Sequence, residues 1–119
     1  MDLVTTYVEE IDIRYREAKR DRIHPRQDIA YQKWAANMNR AILNHITSGH
    51  EDAERLKYVH GYGLAKTQLL ELHIKSRILK KGQKRRLREH IKGLRKIIFD
   101  REEAQWVSDF ISSFQKSTD

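Results

Sequence analysis

The basic residues of one short segment carry the clearest chemical signal in the chain. Between residues 75 and 96, eleven side chains are Lys or Arg, and only Glu89 is acidic. The whole chain has a formal net charge of +7, so this segment is more basic than the protein as a whole. Because concentrated positive charge repels itself unless an anion lies beside it, we expect a polyanionic partner, of which nucleic acid is the commonest.

The spacing of these cations indicates a helix with one buried face and one basic face. At about 100° per residue, its apolar residues fall within roughly 60° of one another, and its cations lie on an arc from roughly 60° to 180° away. The apolar stripe consists of Leu87, Ile91, Leu94 and Ile98. The predicted phosphate contacts are Lys84, Arg85, Arg88, Lys92 and Arg95, supported by Lys80, Lys81 and Arg86.

A row of cations of this kind fits a row of phosphates. Neutralising about six phosphates predicts an affinity that falls with salt at a log–log slope near −5. The segment mixes Arg, which forms bidentate contacts, with Lys, which does not, so base reading and simple backbone binding both stay open. RNA-binding modules usually display aromatic side chains, and residues 75–96 contain none. We therefore expect double-stranded DNA rather than RNA.

Two helix-turn-helix arrangements are compatible with the sequence. In the first, a helix over residues 64–79 and a basic helix over residues 83–99 are joined at residues 80–83, which include Gly82. In the second, Gly61 lies in the turn, and the following helix presents Lys66, Thr67 and Gln68. The first arrangement is preferred to the second, and a plain packed pair of helices is favoured over a recognition motif.

A second and more dilute basic region lies near the start of the chain. It extends the same surface if the first helix packs beside the basic helix. Alternatively its cations pair with Glu17 and Asp21 at helical spacing and form a solvated face. The residues are Arg14, Arg16, Lys19, Arg20, Arg22 and Arg26.

No catalytic or metal-binding arrangement is recognisable. The chain has no cysteine, which excludes thiolate chemistry, and its six histidines form no dense ligand motif. The segment around Gly61, Gly63 and Lys66 lacks the spacing of a phosphate-binding loop. We expect a protein that is not an enzyme and uses no cofactor or metal. A small nuclease that depends on His50 or His60 is the catalytic alternative.

Composition and periodicity predict an all-α fold: a compact bundle of five or six short helices in a single domain over residues 1–119, with a frayed tail from about residue 115. At 39% hydrophobic and 34% charged, with five Gly and one Pro, the chain suits narrow apolar helix stripes better than a β-sandwich. The predicted helices cover residues 2–22, a segment that Asp28 caps and that ends before Gly49, a short segment ending at Gly61, 64–79, 83–99 and a segment beginning at Asp100. The chain has no 18-residue apolar run and no basic, apolar leader, so we expect a soluble cytoplasmic protein.

The last predicted helix is broadly apolar, covering an arc of roughly 160°. It either closes the core or forms a homodimer interface with aromatic anchors. The interface residues are Trp106, Val107, Phe110, Ile111 and Phe114.

These features together predict a small DNA-binding regulator, for example of transcription, or an accessory protein. The alternative is an adaptor that docks an acidic protein through the same basic face. A structural component of a nucleoprotein particle also stays open, whereas the commitment of the apolar stripe to a core argues against membrane binding.

Overall fold

The structure, a computed structural model, describes residues 2–75 and 81–100. This part of the chain forms four α-helices and contains no strand, which confirms the all-α class. None of these helices combines the length and the apolar character that crossing a bilayer requires. The helices are α1 (Leu3–Arg20), α2 (Ile29–Thr47), α3 (Ala53–Lys75) and α4 (Lys81–Phe99).

The first two helices begin and end with the local signals that their sequence contains. Oδ1 of Asp2 accepts a hydrogen bond from the amide of Thr5, and Oδ1 of Asp28 accepts one from the amide of Tyr31, each at 2.7 Å. These carboxylates satisfy amides that have no partner inside the helix, and the cap at Asp28 is confirmed. Gly49, with φ of 77°, follows the end of α2 as predicted, because glycine adopts this left-handed conformation without strain.

The prediction of two helices separated at residues 61–63 is wrong, because α3 runs through both glycines without a break. The buried side chains of Val59, Tyr62 and Ala65 form a continuous line across the expected joint. Burial of Val59 and Tyr62, at about 1.5–3 kcal/mol each, exceeds the combined cost of about 2 kcal/mol for the two glycines in the helix. Tertiary packing therefore outweighs the local preference for a turn.

Helix α3 is central, because the other three helices all pack against it. Tyr31 of α2 lies 2.7 Å, hydroxyl to hydroxyl, from Thr67. At the other end of α3, Arg55 donates through Nε to the carbonyl of Ile98, at 2.9 Å. Late residues of α4 thus meet early residues of α3, so these two helices form an antiparallel hairpin. The core consists of Val4, Val8, Ile11, Tyr15, Ala18, Tyr31, Met38, Ile42, Leu56, Val59, Tyr62, Ala65, Leu69, Leu70, Ile91 and Ile98.

The helix-turn-helix expectations need correction at both positions. The arrangement with a turn at Gly61 is excluded by the continuous α3. In the other arrangement, Lys81, Gly82 and Gln83 belong to the first turn of α4 rather than to a joint. The remainder of that connection and the helix predicted from Asp100 onward lie outside the described residues, apart from Asp100 itself. The antiparallel hairpin of α3 and α4 is shown, and its apolar stripe is buried or half-buried as expected.

Candidate functional site

A cationic groove of about 590 Å³ lies between α1 and α4, with α3 at its base. Helices α1 and α4 supply the two sides, and the buried rings of Tyr15 and Tyr62 contribute to its lining. Five Lys or Arg side chains line the groove, against a single carboxylate, Asp12. The lining residues are Asp12, Tyr15, Arg16, Tyr62, Lys66, Leu69, Arg88, Ile91, Lys92 and Arg95.

Asp12 organises the inner part of this groove. Its Oδ2 accepts a hydrogen bond of 2.8 Å from Nη1 of Arg95, and its Oδ1 accepts one from the hydroxyl of Tyr62. Burial first, and then the neighbouring Asp12, raise the pKa of Tyr62 above its usual value of 10, which keeps the phenol a donor. Nη1 of Arg95 also lies 3.1 Å from that hydroxyl oxygen. One side chain from each of α1, α3 and α4 is thereby joined in a single network.

Lys66 lies at the base of the groove in a partly dry environment, with only 17% of its side chain exposed. Its Nζ is 4.2 Å from the centroid of the Tyr15 ring and 3.5 Å from Oδ1 of Asp12. Burial lowers the pKa of Lys66, Asp12 partly offsets the shift, and Arg95 adds to the lowering. The ammonium group is therefore held where water solvates it poorly and an anion would stabilise it.

Three further cations of the groove have no acidic partner among the described residues. Arg16, Arg88 and Lys92 are exposed, and they form no ion pair with any residue in the described ranges. They contribute positive potential that internal acids do not cancel. An anion entering the groove would meet this potential before it reached Lys66.

The outward side of α4 is basic, as predicted, with one correction. Among the predicted contacts, Lys84 is only 6% exposed, because it lies on the side of α4 nearest the core, and its side chain is not available to a partner. Arg95 is engaged by Asp12, although half of its side chain stays exposed. Lys80 lies outside the described residues. The exposed members of the predicted set are Lys81, Arg85, Arg86, Arg88, Lys92 and Arg95.

His73 lies near the end of α3, and the pKa of its side chain responds to the positive potential around this site. Burial first, and then the charges of Lys19, Lys84, Arg22 and Arg88, lower the pKa of its imidazole below 6.5. Cations from the end of α1 and from α4 therefore converge on one histidine. The sequence contained no signal for this convergence, which depends on how the helices pack.

The dilute basic region near the start of the chain matches its two predicted alternatives only in part. Arg16 joins the groove of α4. Arg20 pairs with Asp21 at 3.0 Å, and Arg26 pairs with Glu71 at 3.1 Å. Arg14 instead lies over aromatic rings of α2, 5.5 Å from the ring centroid of Trp34. Only part of the region therefore extends the basic surface.

The structure contains no group of three or more His, Asp or Glu side chains placed to hold a metal ion in residues 2–75 and 81–100. His50, which was considered for catalysis, accepts a hydrogen bond of 3.0 Å from the amide of Asp52 through Nδ1. Its ring also lies against His45, with centroids 5.4 Å apart. These contacts indicate a role in the connection between α2 and α3. The proposed interface residues from Trp106 to Phe114 lie outside the described residues.

Sequence reasoning missed the most structured part of the site. Asp12 and Tyr62 were not singled out. Lys66 was named only as part of a possible recognition helix and of a rejected phosphate-binding loop. The residues of the groove come from three helices and are separated by up to 83 positions, as in the contact between Asp12 and Arg95. Helical periodicity identifies faces within one helix, so it contains no information on such pairs.

Comparison with family models, with curated proteins and with solved structures finds no match to this chain.

Proposed function

We propose that the protein binds nucleic acid, double-stranded DNA above all, as a small regulator or accessory protein. The observation that supports this proposal is an exposed line of cations along α4, called here the outer cationic face. Its members recur every three or four residues and form no ion pair with any described residue: Lys81, Arg85, Arg88, Lys92 and Lys96.

The dimensions of the outer cationic face suit a phosphate backbone. At 1.5 Å per residue, the fifteen steps from Lys81 to Lys96 extend over about 22 Å. That length matches about six steps of a B-form strand, which rises 3.4 Å per nucleotide. A rigid helix that holds five cations over this distance neutralises several phosphates at once, at little cost in backbone ordering.

The test is fluorescence anisotropy of a labelled duplex at several salt concentrations. Five neutralised phosphates predict a log–log slope of about −4.5. The triple variant Arg85→Glu, Arg88→Glu, Lys92→Glu is expected to lose more than a hundredfold in affinity at about 100 mM salt, because three contacts become repulsive.

The matched control places the same change of charge elsewhere. Lys33, Arg40 and Lys57 are exposed on α2 and α3, so the triple variant with Glu at these positions has the same net charge. It is expected to retain affinity within about threefold. Equal losses in both variants would show that only the net charge matters, and this would contradict a role for α4.

The same experiment addresses the alternative partner. A folded wild-type protein that does not bind duplex even at about 20 mM salt, far below the ionic strength at which phosphate contacts are screened, would refute DNA binding. The outer cationic face would then be assigned to an acidic protein surface, and the same triple variant would be the reagent for testing that interaction.

A further inference from the structure

The groove between α1 and α4 differs in shape from the outer cationic face. Its volume of about 590 Å³ is within the range of about 300–1,000 Å³ found for small-ligand sites. A cube of that volume has edges of about 8 Å, whereas the major groove alone of a duplex is about 12 Å wide. A duplex is therefore too wide to enter the groove between α1 and α4 and would lie across its mouth.

The groove contains more positive charges than the one carboxylate among its described lining residues can neutralise. Asp12 is the only carboxylate among the described residues that line it, and it faces two cations, Arg95 at 2.8 Å and Lys66 at 3.5 Å. Arg16 and Lys92 add charge that no described acid neutralises. A ligand with several negative charges would balance this set.

Lys66 provides the second observation. An ammonium group has three donors, and a normal N–H···O hydrogen bond measures 2.7–3.2 Å. The carboxylate oxygen of Asp12 is farther from Nζ than this, and the ring face of Tyr15 accepts no conventional hydrogen bond. A half-buried ammonium group that lines a groove, and whose carboxylate partner at 3.5 Å is shared with Arg95, is suited to an anionic oxygen from a ligand.

We propose that this groove is a binding site for a multiply charged phosphate group. Lys66 contributes a point charge at the base, and the exposed part of the Arg95 guanidinium contributes planar donors to the phosphate oxygens. Asp12 and the ring of Phe99, whose centroid is 5.3 Å from Arg95, are positioning residues that hold this guanidinium in place. Arg16, Arg88 and Lys92 neutralise the charges nearer the mouth.

The test uses inorganic tripolyphosphate as the probe, in isothermal titration calorimetry at about 150 mM salt, where surface attraction is largely screened. The wild-type protein is expected to bind one equivalent saturably. Lys66→Met is expected to weaken binding at least tenfold, whereas Arg85→Met, on the outer cationic face, changes it less than twofold.

A second variant separates binding from folding. Arg16 is exposed and forms no ion pair in the described part of the chain, so Arg16→Met leaves the core intact. It is expected to weaken tripolyphosphate binding about threefold to tenfold. The proposal is overturned if the wild-type protein shows no saturable binding, or if Arg85→Met costs as much as Lys66→Met.

The source of the phosphate group is decided by competition. A 5′-phosphorylated oligonucleotide that displaces tripolyphosphate, when its 5′-hydroxyl counterpart does not, assigns the site to a nucleic-acid end. Displacement by a nucleoside triphosphate alone assigns it to a free polyphosphate. Arg88 and Lys92 belong to both surfaces, whereas Lys66 lies in the groove alone. Duplex binding by Lys66→Met is therefore expected to stay within twofold of wild type, and this variant distinguishes failure of the phosphate site from failure of DNA binding by the outer cationic face.

Discussion

Arg95 donates a hydrogen bond of 2.8 Å through Nη1 to Oδ2 of Asp12, and this contact joins the last described helix to the first. The same nitrogen lies 3.1 Å from the hydroxyl oxygen of Tyr62. Asp12 therefore has two effects: it orders the guanidinium group, and it places a negative charge inside a groove that is otherwise cationic.

Replacing Asp12 by Asn shows which of these two effects is larger. The amide oxygen still accepts a hydrogen bond from Tyr62, but the amide nitrogen then faces Arg95 and cannot accept from it, and the groove loses the only negative charge among its described lining residues. We expect tripolyphosphate to bind about fivefold more tightly, which corresponds to roughly 1 kcal/mol for one charge at a partly exposed site. Calorimetry measures the change. The control is Glu54→Gln, which removes an exposed carboxylate on α3, away from the groove. Weaker binding by Asp12→Asn would show that ordering Arg95 matters more than removing the repulsion.

Arg55 is expected to be important for stability. Its Nε donates to the carbonyl of Ile98 at 2.9 Å, and its Nη1 lies 3.6 Å from Asp52 and 3.9 Å from Asp2. The side chain is only 19% exposed, so its charge is poorly solvated without these partners. Arg55→Met is expected to lower the free energy of unfolding by about 1.5–3 kcal/mol, as for other hydrogen bonds to charged groups.

Urea denaturation measures this loss, and an exposed ion pair on the same helix is the control. Lys57 and Glu54 are 2.8 Å apart, but their side chains are 55% and 82% exposed. Lys57→Met is expected to change stability by less than about 0.5 kcal/mol. Similar effects of Arg55→Met and Lys57→Met would contradict the role of Arg55 in fastening α4 to α3.

The two glycines inside α3 are expected to respond differently to alanine. A Cβ at Gly61 meets no atom within 4 Å, so Gly61→Ala should stabilise the protein by about 0.5–1 kcal/mol. A Cβ at Gly63 would lie 3.3 Å from Cδ1 of Ile11, and this tight contact offsets the gain in helix propensity. Urea midpoints of the two variants test the continuity of α3. A marked loss of stability in Gly61→Ala would instead indicate a turn at that position.

Binding of a polyanion is expected to involve proton uptake at His73. Burial first, and then the cations around this residue, lower its pKa, and bound phosphates would cancel the part due to the cations and raise that pKa. Affinity for duplex should therefore increase as the pH falls from about 7.5 to 5.5, across the range in which histidine titrates. NMR titration of the imidazole with and without duplex measures the shift. An unchanged pKa would place the phosphates away from this end of the site.

Stability in the absence of ligand provides the matching test for His73. Because its pKa in the folded protein lies below that of the unfolded chain, the unfolded chain binds protons more readily as the pH falls through 6.5. The resulting destabilisation is absent above that pH and develops as the pH approaches the lower, folded-state value. His73→Gln should thus lose less stability than wild type between about pH 7.5 and 5.5. Equal losses would show that other groups determine the acid sensitivity.

Local sequence signals predicted much of the fold. The cap at Asp28, the glycine after α2 and the apolar stripe ending at Ile98 all depend on residues close together in the chain, and the structure confirms them. The break expected near Gly61 was wrong because the buried Tyr62 lies between the two glycines and fastens α3 to α1. Glycine marks a turn only where tertiary contacts do not hold the helix together.

The site was predictable only as a basic face. The exposure of Arg85 and Arg88 follows from helical periodicity, whereas the burial of Lys84 depends on how closely α4 approaches its neighbours. The groove depends on contacts between helices that are distant in the sequence. Such contacts have no short-range signal, so the sequence indicated charge and helical phase but not a concave site.

The contact between Asp12 and Arg95 spans 83 positions, which has a consequence for how the groove assembles. Helices α3 and α4 are close together in the sequence, whereas this contact closes nearly the whole described chain and costs more entropy. The groove is therefore complete only when both α1 and α4 have docked against α3. Local opening that releases α4 removes the groove while α1, α2 and α3 remain packed. A ligand bound there favours the closed form and should slow amide hydrogen exchange in α4 more than in α2.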